Sequence, residues 1–356
     1  MPIVAQNDLP SFARLRREGM TVLTPERAKH QDIRELHFGL LNMMPDAAME
    51  ATERQFFRLV GESNPIAQFF LHPFTLDEIE RGDKARAHVA RYYERFEDVQ
   101  ANGLDGLIIT GANVTQPDLS REPFWEPLKR VYDWAQTNVT SVLCSCLASH
   151  AVLQFEHGIH RRHLSQKRWG VFGHRVLDQS HPLVNDVNTR FDVPHSRFND
   201  VSREQIEQAG LHVLVESEVA GVHLAVSRDG LRTVYFQGHP EFDNISLLKE
   251  YKREVGRYCN GLRADYPPFP EHYFDMTSAA VFDEYRERLQ SAMSGQGAVP
   301  TFPEALVLDS IHNTWHDTGE AVVGNWIGLV YQVTGSERDK PFMPGVDPSD
   351  PLGWSR

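Results

Sequence analysis

Short apolar runs rich in β-branched residues alternate with helical patterns along the first half of the chain. Four runs are predicted as strands: residues 36–41, 66–71, 104–112 and 140–144. Three helical patterns lie between them: residues 47–60, 75–96 and 123–137. Strands separated by helices of this length form a parallel sheet with helices on both faces. The sequence therefore predicts an α/β fold, with functional groups at the carboxyl ends of the strands.

The second half of the chain is less regular. Residues 157–200 are predicted to be rich in loops, and their early basic residues are interpreted for the most part as a solvated surface turn. The polar segment 194–200 is predicted as a loop, because it has no apolar period. Three short strands follow, at residues 211–215, 222–226 and 233–237, with a hairpin turn at residues 228–230 between the last two. Two later helices are predicted, at residues 245–255 and 319–333.

Length and composition place the chain among globular proteins. Its 356 residues, 41% of them hydrophobic, are ample for one large domain with insertions. The predicted organisation is an N-terminal arm at 1–34, one domain at 35–335 and a C-terminal tail at 336–356. The sequence contains no run of eighteen apolar residues, the length needed to span a membrane. Its first residues do not resemble a signal peptide. With only three cysteines, a cytoplasmic location is expected.

A cysteine stands where the predicted strand 140–144 meets a helical pattern. At that junction Cys146 would lie at a helix N-terminus, where free N–H groups and the helix dipole stabilise a thiolate and an oxyanion. The residues two positions before and after it, Cys144 and Ala148, are small, as a sharp strand–nucleophile–helix turn requires. A single cysteine here is also consistent with a buried thiol that only fills space.

A second motif makes the catalytic interpretation stronger. The sequence Gly-His-Pro-Glu at residues 238–241 directly follows the predicted strand 233–237. A histidine at a strand end can reach a thiol at the end of a neighbouring strand, so His239 could serve as a base and Glu241 could orient its imidazole. Alone, this motif is also consistent with a loop that carries a capping carboxylate. Both motifs together, each ending a buried strand, favour covalent acyl transfer.

The pair of motifs resembles class I glutamine amidotransferases. More specifically, residues 36–333 resemble the homoserine O-succinyltransferase family, the amidotransferase-like homoserine O-acyltransferases. Eight collinear motifs carry the resemblance: residues 41–45, 105–112, 140–146, 167–171, 194–197, 238–243, 250–253 and 325–332. The resemblance implies a class I glutamine amidotransferase-like (flavodoxin-like) fold.

The resemblance also implies roles for the residues of the two motifs. Cys146 would take an acyl group from an acyl-CoA as a thioester, with His239 as the general base and Glu241 as its partner. The backbone N–H of Leu147 would donate to the oxyanion. Turnover would be ping-pong: the thiol is acylated first, and the hydroxyl of an amino acid then attacks the thioester.

Three further positions match substrate-binding residues of the family: Lys167, Ser196 and Arg253. Arg253 suits the α-carboxylate of the amino acid, because a planar guanidinium can hold a carboxylate with two hydrogen bonds. No metal and no bound cofactor are expected, since acyl-CoA acts as a co-substrate.

Two departures from the family pattern affect the expected substrate. The family carries a Lys pair after Met44-Pro45, where this chain has Asp46-Ala47-Ala48, so a positive charge is missing or is supplied elsewhere. The position that selects the acyl group is Glu in acetyl-type members and Gly in succinyl-type members, and it falls at Thr115. Threonine would not repel the distal carboxylate of succinyl-CoA, so a succinyl donor is expected.

The sequence thus predicts an enzyme that transfers a succinyl group to L-homoserine, on the route to methionine. Acetyl-CoA as donor and serine as acceptor remain alternatives. A glutamine amidotransferase subunit is an alternative of another class, although such subunits commonly keep Gly two residues either side of the cysteine. A non-enzymatic binding protein is a third. The net charge of −13 argues against nucleic acid as a partner, and a homodimer is one expectation.

Overall fold

A computed structural model describes residues 3–29, 34–63, 67–295 and 297–354. Its centre is one eleven-stranded sheet. The strands are β1 (Ile3–Val4), β2 (Val22–Leu23), β3 (Glu35–Leu41), β4 (Gln68–Phe74), β5 (Gly106–Ile109), β6 (Ser141–Ser145), β7 (Arg162–Val176), β8 (Arg190–Asp200), β9 (His212–Ser217), β10 (Gly221–Val226) and β11 (Thr233–Phe236).

Eleven α-helices surround this sheet in the described part of the chain. They are α1 (Pro10–Arg17), α2 (Pro25–Ala28), α3 (Asp46–Glu62), α4 (Asp83–Tyr92), α5 (Phe96–Asn102), α6 (Trp125–Asn138), α7 (Leu147–His157), α8 (Arg203–Gln208), α9 (Ser246–Cys259), α10 (Met276–Met293) and α11 (His316–Val333). None of the described helices is long and apolar enough to cross a membrane.

The order of the strands is β2-β1-β4-β3-β5-β6-β11-β10-β9-β7-β8. The first seven of these pair in parallel, from β2 to β11. The remaining pairs, from β11 to β8, are antiparallel. The predicted α/β fold with a mostly parallel sheet is therefore confirmed. The parallel register places the ends of β6 and β11 side by side, since Phe236 is opposite Ser145.

Two apolar layers cover the two faces of the sheet. One contains the buried residues of α3 and α11, with Trp326 fully buried among them, and the other contains those of α6 and α7. The β-branched and aromatic residues of the parallel strands point into both layers, which is why these strands read as nearly continuous apolar runs. A third cluster, rich in aromatic side chains, joins α9 and α10 to β7.

Three predictions about these elements are wrong. The single helix predicted at 75–96 is two helices, α4 and α5, preceded by a loop. The loop-rich segment predicted at 157–200, including the loop at 194–200, contains the two long antiparallel strands β7 and β8. Both strands carry polar residues on both faces over much of their length, because β8 is the edge strand of the sheet and β7 is its neighbour, and so they lack an apolar period. The third concerns the region after residue 266, where one helix, 319–333, is predicted and the structure has two, α10 and α11.

The termini add to the same body. Within the segment predicted as an N-terminal arm, 1–34, β1 pairs with β4 and extends the sheet, with β2 outside it. Within the predicted tail, 336–356, Phe342, Val346 and Leu352 pack against the layer formed by α3 and α11. The domain boundaries at 34 and 335 stay predictions.

Candidate active site

Cys146 lies at a sharp turn between β6 and α7. Its backbone has φ 52° and ψ −109°, a region that residues with a side chain rarely adopt. Hydrogen bonds to the neighbouring strand end stabilise this turn: Cys146 N–H donates to the Phe236 carbonyl at 2.7 Å. The Ser149 hydroxyl is within hydrogen-bonding distance of two carbonyls, those of Cys144 at 2.8 Å and Phe236 at 2.9 Å. The side chain of Cys146 is left half-buried, whereas Cys144 is fully buried.

The imidazole of His239 faces this thiol from the end of β11. Its backbone N–H donates to the Pro194 carbonyl of β8 at 2.9 Å, and Phe242 stacks on its ring with centroids 4.3 Å apart. On one side Nδ1–H donates to Glu241 Oε1 at 2.8 Å. On the other side the ring is hydrogen-bonded to the Cys146 thiol. The structure thus brings together the predicted nucleophile Cys146, the base His239 and the orienting carboxylate Glu241. We call these three residues, in this order, the catalytic line.

The electrostatics of this line favour a thiolate–imidazolium pair. Burial by itself raises the pKa of the Cys146 thiol, but the charge of His239 and its hydrogen bond outweigh burial, and the net pKa is lowered. Burial likewise lowers the pKa of His239, but the Cys146 thiolate and the Glu241 carboxylate raise it to about 10. These shifts bias the pair towards a thiolate and an imidazolium, the form in which a cysteine sulfur is nucleophilic.

This pairing predicts how the reactivity of Cys146 depends on pH. Alkylation of Cys146 by iodoacetamide should approach its plateau at a lower pH than alkylation of free cysteine, because the pKa of the thiol is lowered. Free cysteine, with a pKa of about 8.5, is the reference measured in the same buffers. Peptide mass spectrometry of the alkylated protein measures this profile. A profile for Cys146 that coincides with that of free cysteine would contradict the paired state.

The start of α7 lies close to the residue that follows the end of β5 by two positions. Leu147 is the first residue of α7, so its backbone N–H has no acceptor within the helix. Gly111 follows β5, and a Cβ atom there would lie 3.9 Å from Leu147 N and 3.6 Å from Met44 Sδ. The Leu147 N–H predicted as an oxyanion donor therefore lies next to Gly111, a residue that places no side chain over it.

The three predicted substrate-binding residues meet at one carboxylate. Glu250 of α9 accepts from Lys167 Nζ at 2.6 Å, from Ser196 Oγ at 2.9 Å and from Arg253 at 3.2 Å. The Trp169 indole N–H donates to its other oxygen at 3.0 Å, and Lys167 lies over the Trp169 ring, 4.5 Å from its centroid. Burial raises the pKa of Glu250, but Lys167 more than offsets this and the pKa is lowered.

Glu250 was not singled out from the sequence. Its signals in the sequence are its place at the start of the motif 250–253 and its spacing to Arg253, which places both side chains on the same face of a helix. The cluster lies close to the catalytic line along β8, because Ser196 is two residues from Pro194, whose carbonyl accepts from His239. A second buried residue that the sequence reasoning missed is Arg197, which contacts His195 and donates to Asp200 at 2.7 Å. Its charge helps to lower the pKa of Cys146.

Thr115 lies in the exposed loop after β5, beside a buried carboxylate. The backbone N–H groups of Thr115 and Gln116 both donate to Glu122 Oε1, at 2.5 Å and 2.6 Å. The Thr115 hydroxyl is 3.5 Å from Glu122 Oε2. The residue at this position is thus uncharged, as the sequence analysis noted, but a negative charge still lies next to it.

The structure places a cation near the missing Lys pair. The guanidinium of Arg81 is buried and donates to the Met44 carbonyl at 2.6 Å and to Asp46 at 3.3 Å. It also donates to the Asn42 carbonyl at 3.1 Å and to the Thr75 hydroxyl at 3.0 Å. Arg81 therefore supplies a positive charge at the end of β3, although its terminal nitrogens are already bonded within the protein.

Two other features lie apart from these groups. Among the described residues, one set of side chains could hold a metal ion: Glu62, His316 and Glu320, which are half-buried and lie between α3 and α11. A cleft of about 580 Å³ lies along β7, β8 and β9 and is lined by His174, Arg190 and others. It contains none of the predicted site residues, so we assign the reaction to the thiol and not to the cleft.

The chain is similar to known proteins over its full length. A family model described as homoserine O-succinyltransferase matches residues 2–336. The homoserine O-succinyltransferase of Allochromatium vinosum is 67% identical over 353 residues, 99% of each chain. The proteins of the same name from Thioalkalivibrio nitratireducens and Methylococcus capsulatus are 64% and 62% identical, the first over 100% of both chains and the second over 99% of both.

Similarity to solved structures is more distant. A glutamine amido transferase from Methylobacillus flagellatus is 13% identical, with a TM-score of 0.44, and the match covers 83% of this chain and 95% of that one. The glutaminase domain of Trypanosoma brucei CTPS with bound acivicin is 12% identical, with a TM-score of 0.42 over 67% of this chain and 98% of that one.

Proposed function

The chain belongs to the homoserine O-succinyltransferase family, a family of acyltransferases, and we propose that it transfers the succinyl group of succinyl-CoA to the hydroxyl of L-homoserine. This reaction serves methionine biosynthesis. The observation that carries the proposal is the line of Cys146, His239 and Glu241 at the adjacent ends of β6 and β11. Such a line supports a covalent route through a succinyl thioester on Cys146.

In the first half of the reaction the Cys146 thiolate attacks the carbonyl carbon of succinyl-CoA. The developing oxyanion accepts a hydrogen bond from the Leu147 N–H at the start of α7, where the helix dipole adds to the stabilisation. The tetrahedral intermediate then expels the sulfur of CoA, which takes the proton of the His239 imidazolium. A succinylated Cys146 and a neutral His239 remain.

In the second half the hydroxyl of homoserine attacks the thioester. His239 accepts the hydroxyl proton as the oxygen forms its bond to the carbonyl carbon, and Glu241 stabilises the imidazolium that results. The intermediate expels the Cys146 thiolate, which the imidazolium stabilises again. O-succinylhomoserine leaves, and the site returns to its starting charge state.

The cluster at Glu250 suits the zwitterionic end of the amino acid. The α-ammonium group of homoserine can bind the Glu250 carboxylate, while its α-carboxylate binds Arg253 and Lys167. The Arg253 side chain is 60% exposed, so it is free to turn from Glu250 to an incoming carboxylate. With both ends of the zwitterion held, the side-chain hydroxyl is the part left to reach the thioester.

Replacement of Arg253 by alanine is expected to raise the KM for homoserine about 10- to 100-fold, the effect of losing a charge-assisted hydrogen bond. Acylation of Cys146 by succinyl-CoA should be unchanged, because Arg253 does not take part in that half-reaction. Steady-state kinetics with varied homoserine measures the first value, and single-turnover acylation the second. Arg257→Ala is the matched control, since Arg257 lies one turn later and also pairs with Glu254. An unchanged KM in the Arg253 variant would remove this residue from the site.

A direct assay tests the proposed reaction against its alternatives. The purified protein is given succinyl-CoA or acetyl-CoA together with homoserine or serine, and is separately given glutamine. We expect O-succinylhomoserine to form fastest, with little acetyl transfer and no ammonia from glutamine. Preferential acetyl transfer, transfer to serine or steady glutamine hydrolysis would each overturn the proposal.

The remaining expectations from the sequence complete this proposal. We propose a cytoplasmic enzyme that uses acyl-CoA as a co-substrate without a resident cofactor or metal. Its partners are the two small-molecule substrates, and it forms a homodimer. Analytical ultracentrifugation of the purified protein tests the homodimer, and metal analysis tests the expectation that no metal is bound.

A further inference from the structure

The succinyl group of the donor ends in a second carboxylate, and a half-buried pocket must offer that charge a partner. The loop after β5 does not offer one by itself. Thr115 has one hydroxyl, and the neighbouring Glu122 is an acid whose Oε1 already accepts from two backbone N–H groups. A cation from another element is therefore needed beside this loop.

Arg161 is such a cation. It lies between α7 and β7, and its terminal nitrogen is 3.4 Å from the Gln116 carbonyl, so the guanidinium rests against the loop that holds Thr115. The same loop is joined to α7 where Gln154 donates to Asp118 at 2.8 Å. Arg161 therefore lies beside the loop that is joined to α7, the helix that directly follows Cys146.

The guanidinium of Arg161 is unusually free for its degree of burial. It is half-buried and forms no ion pair within 4.0 Å with any described residue, and its Nε is buried without a hydrogen-bond partner among them. Burial lowers its pKa, while the charges of Glu122, Cys146 and Asp118 act in the opposite direction. These negative charges favour the charged form, so the group is a cation with a donor that has no partner among the described residues.

The other cations near the catalytic line are already bonded. Arg197 donates to Asp200 and to the Ala220 carbonyl, and Lys167 donates to Glu250. Arg81 donates to four oxygens of its own surroundings. Among these groups, Arg161 alone combines an open guanidinium donor with contact to the loop that holds Thr115.

We propose that Arg161 binds the distal carboxylate of the succinyl group and so sets the preference for a dicarboxylic acyl donor. This inference rests on the proposed function, because it takes a succinyl donor as given. It corrects the view of the basic residues at 161–168 as a solvated turn, at least for Arg161. In this proposal the discrimination between acyl donors does not depend on Thr115 alone. It depends on both the loop after β5 and Arg161, the residue that precedes β7.

The test compares succinyl-CoA with butyryl-CoA. The two acyl chains have the same number of carbons, but butyryl ends in a methyl group where succinyl has its distal carboxylate. The rate constant for acylation of Cys146, divided by the KM for the donor, is measured by rapid-quench mass spectrometry. In Arg161→Met we expect this value to fall about 100-fold for succinyl-CoA and less than about 3-fold for butyryl-CoA. Arg161→Lys should recover part of the succinyl rate, because it keeps the charge but loses the planar fork.

Arg162→Met serves as the matched control. Arg162 is the next residue, carries the same charge and has a side chain that is 70% exposed, so its loss should leave both donors unaffected. Equal losses on both donors in Arg161→Met, or no loss on either, would overturn the inference. If the unaltered protein itself fails to form a succinyl adduct, the proposed function fails instead. The butyryl rate of each variant also reports whether its active site is folded.

Discussion

Cys146→Ala is expected to abolish succinyl transfer, with a fall in kcat of at least about 10⁴-fold, the size seen when the nucleophile of a triad is removed. The reason is that the thioester has no other atom on which to form: Cys146 is held by the turn between β6 and α7 and faces His239. Cys146→Ser should be nearly as inactive, because a hydroxyl with its higher pKa does not give up its proton to His239 as a thiol does. Steady-state transfer assays with both substrates measure the loss.

The other two cysteines provide matched controls for this experiment. Cys144 is fully buried two residues away, and Cys259 is exposed at the end of α9. Burial raises the pKa of Cys144, so it stays protonated and unreactive. Cys144→Ala and Cys259→Ala should therefore keep most of the activity. Substantial transfer by the Cys146 variants, or its loss in the Cys259 variant, would contradict the covalent route.

His239→Gln is expected to lower kcat by about 10³- to 10⁴-fold, because both proton transfers pass through this imidazole. It should also raise the pKa of the Cys146 thiol, since the charge and hydrogen bond that lower it are lost while burial remains. The measurement is the pH profile of iodoacetamide alkylation, which should move to higher pH in the variant. This second readout separates a catalytic base from a residue that only packs beneath the turn.

His160→Gln provides the control for removing a histidine near this site. His160 is exposed after α7, and its backbone carbonyl rather than its ring holds Gln205. Its loss should leave both kcat and the alkylation profile unchanged. A His239 variant whose alkylation profile matches that of the unaltered protein would show that the imidazole does not stabilise the thiolate.

The parallel half of the sheet could be predicted from the sequence because its strands are buried on both faces. The observed β3, β5 and β6 coincide with predicted apolar runs to within a few residues. The cysteine turn and the Gly-His-Pro-Glu motif could be found for a related reason, since both follow directly after such strands. The end of a buried parallel strand can be recognised in the sequence without any knowledge of tertiary contacts.

The antiparallel half could not be predicted in the same way. In β7 only the segment 169–172 is buried continuously, and its first half is polar and exposed, so no alternation marks it as a strand. Its partner is β8, and pairing between the two gives these residues their structure. The break between α4 and α5 also depends on distant contacts: the Glu94 N–H donates to the Pro73 carbonyl of β4 at 2.9 Å, and the Glu94 carboxylate pairs with His72 of the same strand.

The site residues that were missed depend on the same kind of contact. The role of Glu250 can be recognised only in the folded chain. There its carboxylate accepts hydrogen bonds from Lys167 of β7, Ser196 of β8 and Arg253 of α9. Arg161 belongs to a run of basic residues, and nothing in that run distinguishes it from its exposed neighbour Arg162. Its distinction is contact with the loop after β5, 45 residues earlier in the chain.

The most direct test of the central claim is the intact mass of the protein after mixing with succinyl-CoA in the absence of homoserine. We predict one added succinyl group, mapped by peptide mass spectrometry to Cys146, and its complete discharge when homoserine is added. An unmodified protein that nevertheless makes O-succinylhomoserine at its normal rate when both substrates are present, or a succinyl group on another residue that homoserine discharges, would contradict the account.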